Sequence, residues 1–156
     1  MINSTASLYA GVNIKLINFD VSDDFIAIIY DDEYLDLHNN YDFYGFEYAT
    51  SKRKIIFTWH CSNQDWVNPS NPKDIVLEFD GVSLFKCKER DIDTPFTEDD
   101  CLSSIGFIGN DLIDDIEGFS KSKPEKNCEH LNISFESGFA VKISASNATC
   151  IINRNV

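Results

Sequence analysis

Two acidic runs, three histidines and five cysteines are the residues of this 156-residue chain best equipped for chemistry. The longer run, DIDTPFTEDDCLSSIGFIGNDLIDDIEG at positions 91–118, holds nine carboxylates and no lysine or arginine. The shorter, DDFIAIIYDDEYLDLHNN at 23–40, holds Asp23, Asp24, Asp31, Asp32, Glu33 and Asp36, again with no base. Such acids can cage a cation or attract a basic surface. Asp91 and Asp93 have the opening spacing of an EF-hand loop, but that loop needs Gly at its sixth position and Glu at its twelfth. Phe96 and Leu102 stand there instead. Calcium held by acids from separate loops of a β-sandwich stays open as the alternative reading.

The histidines are His38, His60 and His130, and the cysteines Cys61, Cys87, Cys101, Cys128 and Cys150. His60 and Cys61 are adjacent, so in a strand they point to opposite faces and cannot share a metal. Cys128 and His130 can share one, but a zinc site needs two further ligands. A Cys–His nucleophilic pair depends on closeness in space, which spacing does not give. G-x-S-x-G, H-E-x-x-H and glycine-rich phosphate loops are all missing, and an enzyme is not expected. No metal or cofactor is expected either.

The bulk composition narrows the partner. Twenty-six acids against thirteen bases give a formal charge of −13, which repels nucleic-acid backbones and anionic membranes. Apolar residues at 43% can fill a core, so disorder is not expected. No apolar stretch approaches membrane-spanning length. The opening MINSTASLYAG lacks the basic and apolar regions of a secretory signal, and the odd cysteine count lacks C-x-x-C pairs. Together these lead to the expectation of a cytoplasmic chain with reduced thiols, in which the sequons at Asn3, Asn132 and Asn147 carry no sugar.

The elements that must position these groups read mainly as strands. VNIKLINFDV alternates and then shifts phase at Ile17 and Phe19, which signals a bulge or a strand covered on both faces. FIAIIYDD is a second strand. YDFYGFEYAT and KRKIIFTWHC form a hairpin around Ser51 and Lys52, with Ile55, Phe57 and Trp59 on one face. Tyr44, Phe46 and Tyr48 share a face of the first arm and Gly45 marks a bulge; burial of these aromatics in the core is favoured over a partner surface. SNQDWVNPSNP is a loop. Ile75, Leu77 and Phe79 alternate before a turn at Asp80-Gly81, and Val82 and Leu84 resume the pattern. Strands through Leu131, Ile133 and Phe135, then Val141 and Ile143, then Ile151 and Ile152 complete the chain.

Within the long acidic run, Thr97 can cap a helix whose first turn holds Glu98, Asp99 and Asp100, with Gly106 as its stop. Phe96 and Cys101 stand at the two positions of a hydrophobic staple for that helix. A second turn is expected from Asn110 to Glu117. Helix ends explain about half of the carboxylates. Asp91, Asp93, Asp114, Asp115 and Glu117 remain, and these are the candidate docking residues. Asp31, Asp32 and Glu33 form a second region, where Tyr30 and Tyr34 supply the aromatic contacts that suit an interface.

The stretch IVLEFDGVSLFKCKERDIDTPFTEDDCLSSIGFIG resembles a group of small acidic bacterial proteins that includes immunity proteins of polymorphic toxin systems. Phe79, Gly81 and Val82, then Glu98, Asp99, Cys101, Leu102, Ile105, Gly106 and Phe107, carry the likeness over about a quarter of the chain. The resemblance implies an intracellular protein that binds and blocks a toxin domain, with no catalytic residues carried over. The expected fold is mostly β, with α+β as the alternative: an antiparallel β-sandwich or barrel-like pair of sheets. A single domain over 1–156 carries one or two short helices near residues 98–117. The expected function is binding of a basic protein, such as a toxin, with no nucleic acid and no membrane; oligomeric state is not legible.

Overall fold

In the computed structural model the described residues are 13–108, 121–123 and 130–154. The strands in chain order are β1 (Lys15–Leu16), β2 (Phe19–Val21), β3 (Ala27–Tyr30), β4 (Glu33–Asp36), β5 (Tyr41–Ala49) and β6 (Lys54–Cys61). They continue with β7 (Asp74–Asp80), β8 (Leu84–Lys88), β9 (Leu102–Ile108), β10 (His130–Phe135), β11 (Ala140–Ser144) and β12 (Asn147–Asn153). Three sheets result: β1-β12-β7-β6-β5, β8-β11-β10-β9 and β2-β3-β4. All pairings are antiparallel except β1 with β12. The first two sheets pack in a β-sandwich-like arrangement, and among the described residues no sheet closes into a barrel.

Alternation in the sequence sets the inner faces. Ile55, Phe57 and Trp59 of β6 and Ile75, Leu77 and Phe79 of β7 are fully buried. They meet Ile133, Phe135, Val141 and Ile143 of the second sheet in one hydrophobic cluster. The small sheet adds Ile28 and Leu35 to that cluster. The chain changes sheets at Gly81, whose φ of +66° suits glycine.

Phe25, with φ of +65°, joins the small sheet to the second one through its carbonyl, which accepts from the Ile105 amide at 2.8 Å. A bulky residue in the left-handed region is strained and persists where its surroundings fix it.

Three expectations need correction. VNIKLINFDV is not one bulged strand but two, β1 and β2 in different sheets, with the break where the phase shifts. The helix from Thr97 to Gly106 is not formed. A single 3-10 turn covers Phe96–Glu98, Thr97 makes no capping bond there, and Leu102–Ile108 is strand β9. Burial explains the misreading. Ile105, Gly106, Phe107 and Ile108 are all buried, so no alternation marks the strand. The helical turn at 110–117 lies outside the described residues.

The third correction concerns β5. The bulge falls at Phe43–Gly45 as the glycine suggests, and Gly45 has φ of +152°. It places Phe43 opposite Trp59 and packed on the core, while Phe46, opposite Phe57, is 37% exposed, Tyr48 is exposed as well and Tyr44 turns outward at 75%, so the expected burial of these three aromatics in the core does not occur. Tyr44 therefore does not share the face of Phe46 and Tyr48.

Candidate functional site

The loop between β8 and β9 carries the first candidate residues, and Arg90 organises it. Its Nε donates to Asp99 Oδ1 at 2.9 Å, while its Nη atoms donate to the carbonyls of Asp91 and Thr94 at 3.1 and 2.5 Å. Its guanidinium carbon lies 4.6 Å from the centre of the Phe96 ring. The loop ends are tied to the β10–β11 turn: the Asp91 amide donates to the Ser137 carbonyl at 2.8 Å, and the Glu136 amide to the Cys101 carbonyl at 2.9 Å. One arginine thus replaces a regular element as the loop's scaffold, because its planar fork serves several acceptors at once.

This scaffold points apolar residues outward. Ile92 is 90% exposed and Phe96 80% exposed, and Asp91 and Asp93, which flank Ile92, are exposed too. Phe96 does not serve as a staple; with no helix to clamp, its ring is free to face solvent. Behind the loop lies a cavity of about 370 Å³, lined by Phe43, Tyr44, Phe96 and Phe139 with Arg90, Asp99 and Asp100. Its two aspartates differ. The Arg90 hydrogen bond holds the Asp99 carboxyl below the usual range. Burial, reinforced by Asp42, pushes Asp100 up. Asp100 is the carboxylate of this groove whose charge is least compensated.

Asp31 and Asp32 form the two-residue tip of the β3–β4 hairpin, with φ of +50° and +63°. Two left-handed residues in a row are what a type I′ turn requires, and aspartate tolerates them. Glu33, the next residue, is paired with Arg154. Tyr30 packs against the core, whereas Tyr34 is about half exposed and donates its hydroxyl to Asp24 Oδ2 at 2.5 Å. That bond follows the Ser22 hydroxyl in holding the Asp24 carboxyl low. Among the described residues, Asp31, Asp32, Asp91 and Asp93 take part in no ion pair; Glu33 does. Asp114, Asp115 and Glu117 lie outside the described residues.

The fold does bring a cysteine to a histidine, which spacing did not reveal. Cys101 Sγ lies 3.6 Å from His38 Nδ1. That nitrogen is also 2.5 Å from the Leu102 carbonyl, an acceptor, so Nδ1 carries the hydrogen and cannot take the thiol proton. Burial, then Glu136 and Glu98, push the thiol up to about 11. A nucleophile needs the opposite surroundings. His60 Nδ1 meets Asp74 at 2.7 Å and its ring lies 4.7 Å from that of Tyr44. A larger cavity of about 680 Å³ near them is lined mainly by polar residues of the 62–72 loop, including Asn63, Gln64 and Asn68.

Among the described residues no three of His, Cys, Asp and Glu are grouped to hold a metal ion. Arg90, Ile92, Phe139 and the outward turn of Tyr44 are the parts of this surface that sequence reasoning missed. The one available signal was Ile92 standing alone between two aspartates. No family model matches the chain, and no curated protein or solved structure matches it.

Proposed function

We propose that this protein binds a basic protein through the 89–101 loop and the aromatic groove behind it, with the β3–β4 hairpin tip as a second acidic contact. One observation carries the reading: exposed Ile92 and Phe96 stand beside Asp91 and Asp93, which take part in no ion pair among the described residues, next to a groove walled by aromatic rings. Apolar anchors inside a charged rim are how protein interfaces divide their labour. The anchors supply affinity and the rim supplies steering and choice of partner. A net charge of −13 favours cationic partners over phosphate backbones.

The resemblance over 75–109 supports naming the partner class as a toxin domain, such as a nuclease whose lysines and arginines grip phosphates. Carboxylates of the inhibitor then pair with those same groups. No helix among the described residues is long and apolar enough to cross a membrane; a cytoplasmic site of action is part of the proposal.

The test is co-expression with the product of the neighbouring reading frame, followed by affinity measurement at low and high salt. Wild type is expected to bind and to weaken as salt screens the rim. A variant joining Asp91→Asn with Asp93→Lys should bind about tenfold more weakly and lose part of that salt dependence. No complex at low salt, or an affinity unchanged by the variant and flat in salt, removes the reading.

A further inference from the structure

The geometry points to the groove beside Phe96 as a receptor for a guanidinium: an arginine side chain of the partner, seated between the aromatic walls and Asp100. This deepens the docking reading and rests on it.

The groove already holds one guanidinium. Arg90 lies over the Phe96 ring and bonds Asp99, so aromatic face and carboxylate together are an arrangement this surface builds for arginine. A second set of the same components is left over. Phe43, Tyr44 and Phe139 line the remaining wall, and Asp100 borders it with no arginine or lysine paired to it among the described residues. Tyr44 is exposed because the Gly45 bulge turns it away from the core, so its ring is open to a ligand on the face not taken by His60.

Charge complementarity decides the occupant. Against the single positive charge of Arg90 stand Asp99 and Asp100, with Asp42 and Glu98 close enough to raise the Asp100 carboxyl. An anion is repelled, and a neutral apolar side chain leaves the exposed Asp100 carboxylate beside the aromatic wall without a counter-charge. A cation relieves it. Size is consistent: about 370 Å³ is near the lower limit of ligand pockets and admits a side chain rather than a large cofactor. Flat aromatic walls favour the planar guanidinium over the compact, strongly hydrated ammonium of lysine.

The probe is a capped Gly-Gly-Arg-Gly-Gly peptide, with its lysine and citrulline counterparts, titrated at low salt and followed by NMR on the aromatic and Arg90 side chains. The arginine peptide is expected to shift those signals and to bind roughly tenfold more tightly than the isosteric but uncharged citrulline peptide, and measurably more tightly than the lysine one. Asp100→Asn should lower its affinity several-fold. The backbone carbonyl of residue 100, which accepts from the Phe43 amide, is kept in that variant, so the fold should be intact. Asp20→Asn, an exposed acid on β2, should leave binding unchanged.

Equal binding of the arginine and citrulline peptides overturns the inference. So does an Asp20→Asn loss as large as that of Asp100→Asn, which means a diffuse field and no seat. The two readings fail separately. A salt-sensitive protein complex that Asp100→Asn leaves untouched ends the guanidinium seat and keeps the docking surface. Selective arginine binding without any protein complex ends the docking proposal.

Discussion

Asp31 and Asp32 meet a backbone demand that is independent of any partner. Their left-handed conformations close a two-residue hairpin, a task for which Asn-Gly is the better pair. The double substitution Asp31→Asn with Asp32→Gly should therefore raise stability by about 0.5–1 kcal/mol in urea denaturation. If the acids serve docking, the same change should weaken the complex while strengthening the fold. Those opposite signs separate turn chemistry from recognition. Gly138 gives the complementary case. Its φ is +88° and a Cβ there would come within 2.5 Å of the Asp91 carboxylate. Gly138→Ala should cost about 1–2 kcal/mol and displace the Asp91 end of the loop. A loss near zero would show that the loop is not held against this turn. Asp91, Asp93 and the hairpin acids were legible because charge without nearby bases shows in one dimension. Arg90 was not, because its importance lies in contacts made across the loop rather than in spacing.

At the level of elements, legibility followed exposure. β6 and β7 alternate buried and half-buried residues, and their patterns of IIFTW and IVLEF read correctly as strands. β9 is buried on both faces over its second half, and the acidic Thr97–Asp100 stretch before it imitates a helix start. Local capping signals then outweighed a strand that is fixed by pairing with β10 and by the Phe25 carbonyl. Gly45 announced a bulge, but which side of it faced the core followed from register with β6, a non-local property. The bulge is what lets one strand serve both core and surface. Phe46 stacks near Phe57 and Phe85 at centroid distances of 5.5 Å each, so Phe46→Ala should cost about 2 kcal/mol, below the cost of a fully buried ring because Phe46 is partly exposed. Tyr44→Ala should cost little stability and weaken arginine-peptide binding. Equal losses of stability in the two variants, measured by thermal unfolding, would contradict the assigned faces.

Across the whole molecule, acidity points outward, and among the described residues the one strongly depressed base sits inside. His130 of β10 is fully buried, and burial, with Lys142 of β11 nearby, lowers it to about 4. Its two ring nitrogens have no hydrogen-bond partner among the described residues, and the ring is neutral in the folded protein. The unfolded chain takes up this proton below about pH 6.5, the folded chain only below about 4. Between those values the unfolded state binds more protons, so stability falls as pH falls through the window and is retained above it. The loss can reach about 3 kcal/mol. Asp24, Asp74 and Asp99 have lowered carboxyl pKa values, so their contributions hold throughout this window and are lost only further down in acid. His130→Leu should therefore remove the decline between about pH 6.5 and 4 and leave the steeper acid limb below it. It also replaces two unpaired buried nitrogens with carbon, which lowers the cost of burial at every pH. Urea midpoints taken across that range decide the matter: parallel curves for wild type and His130→Leu would assign the acid sensitivity to the carboxylates instead.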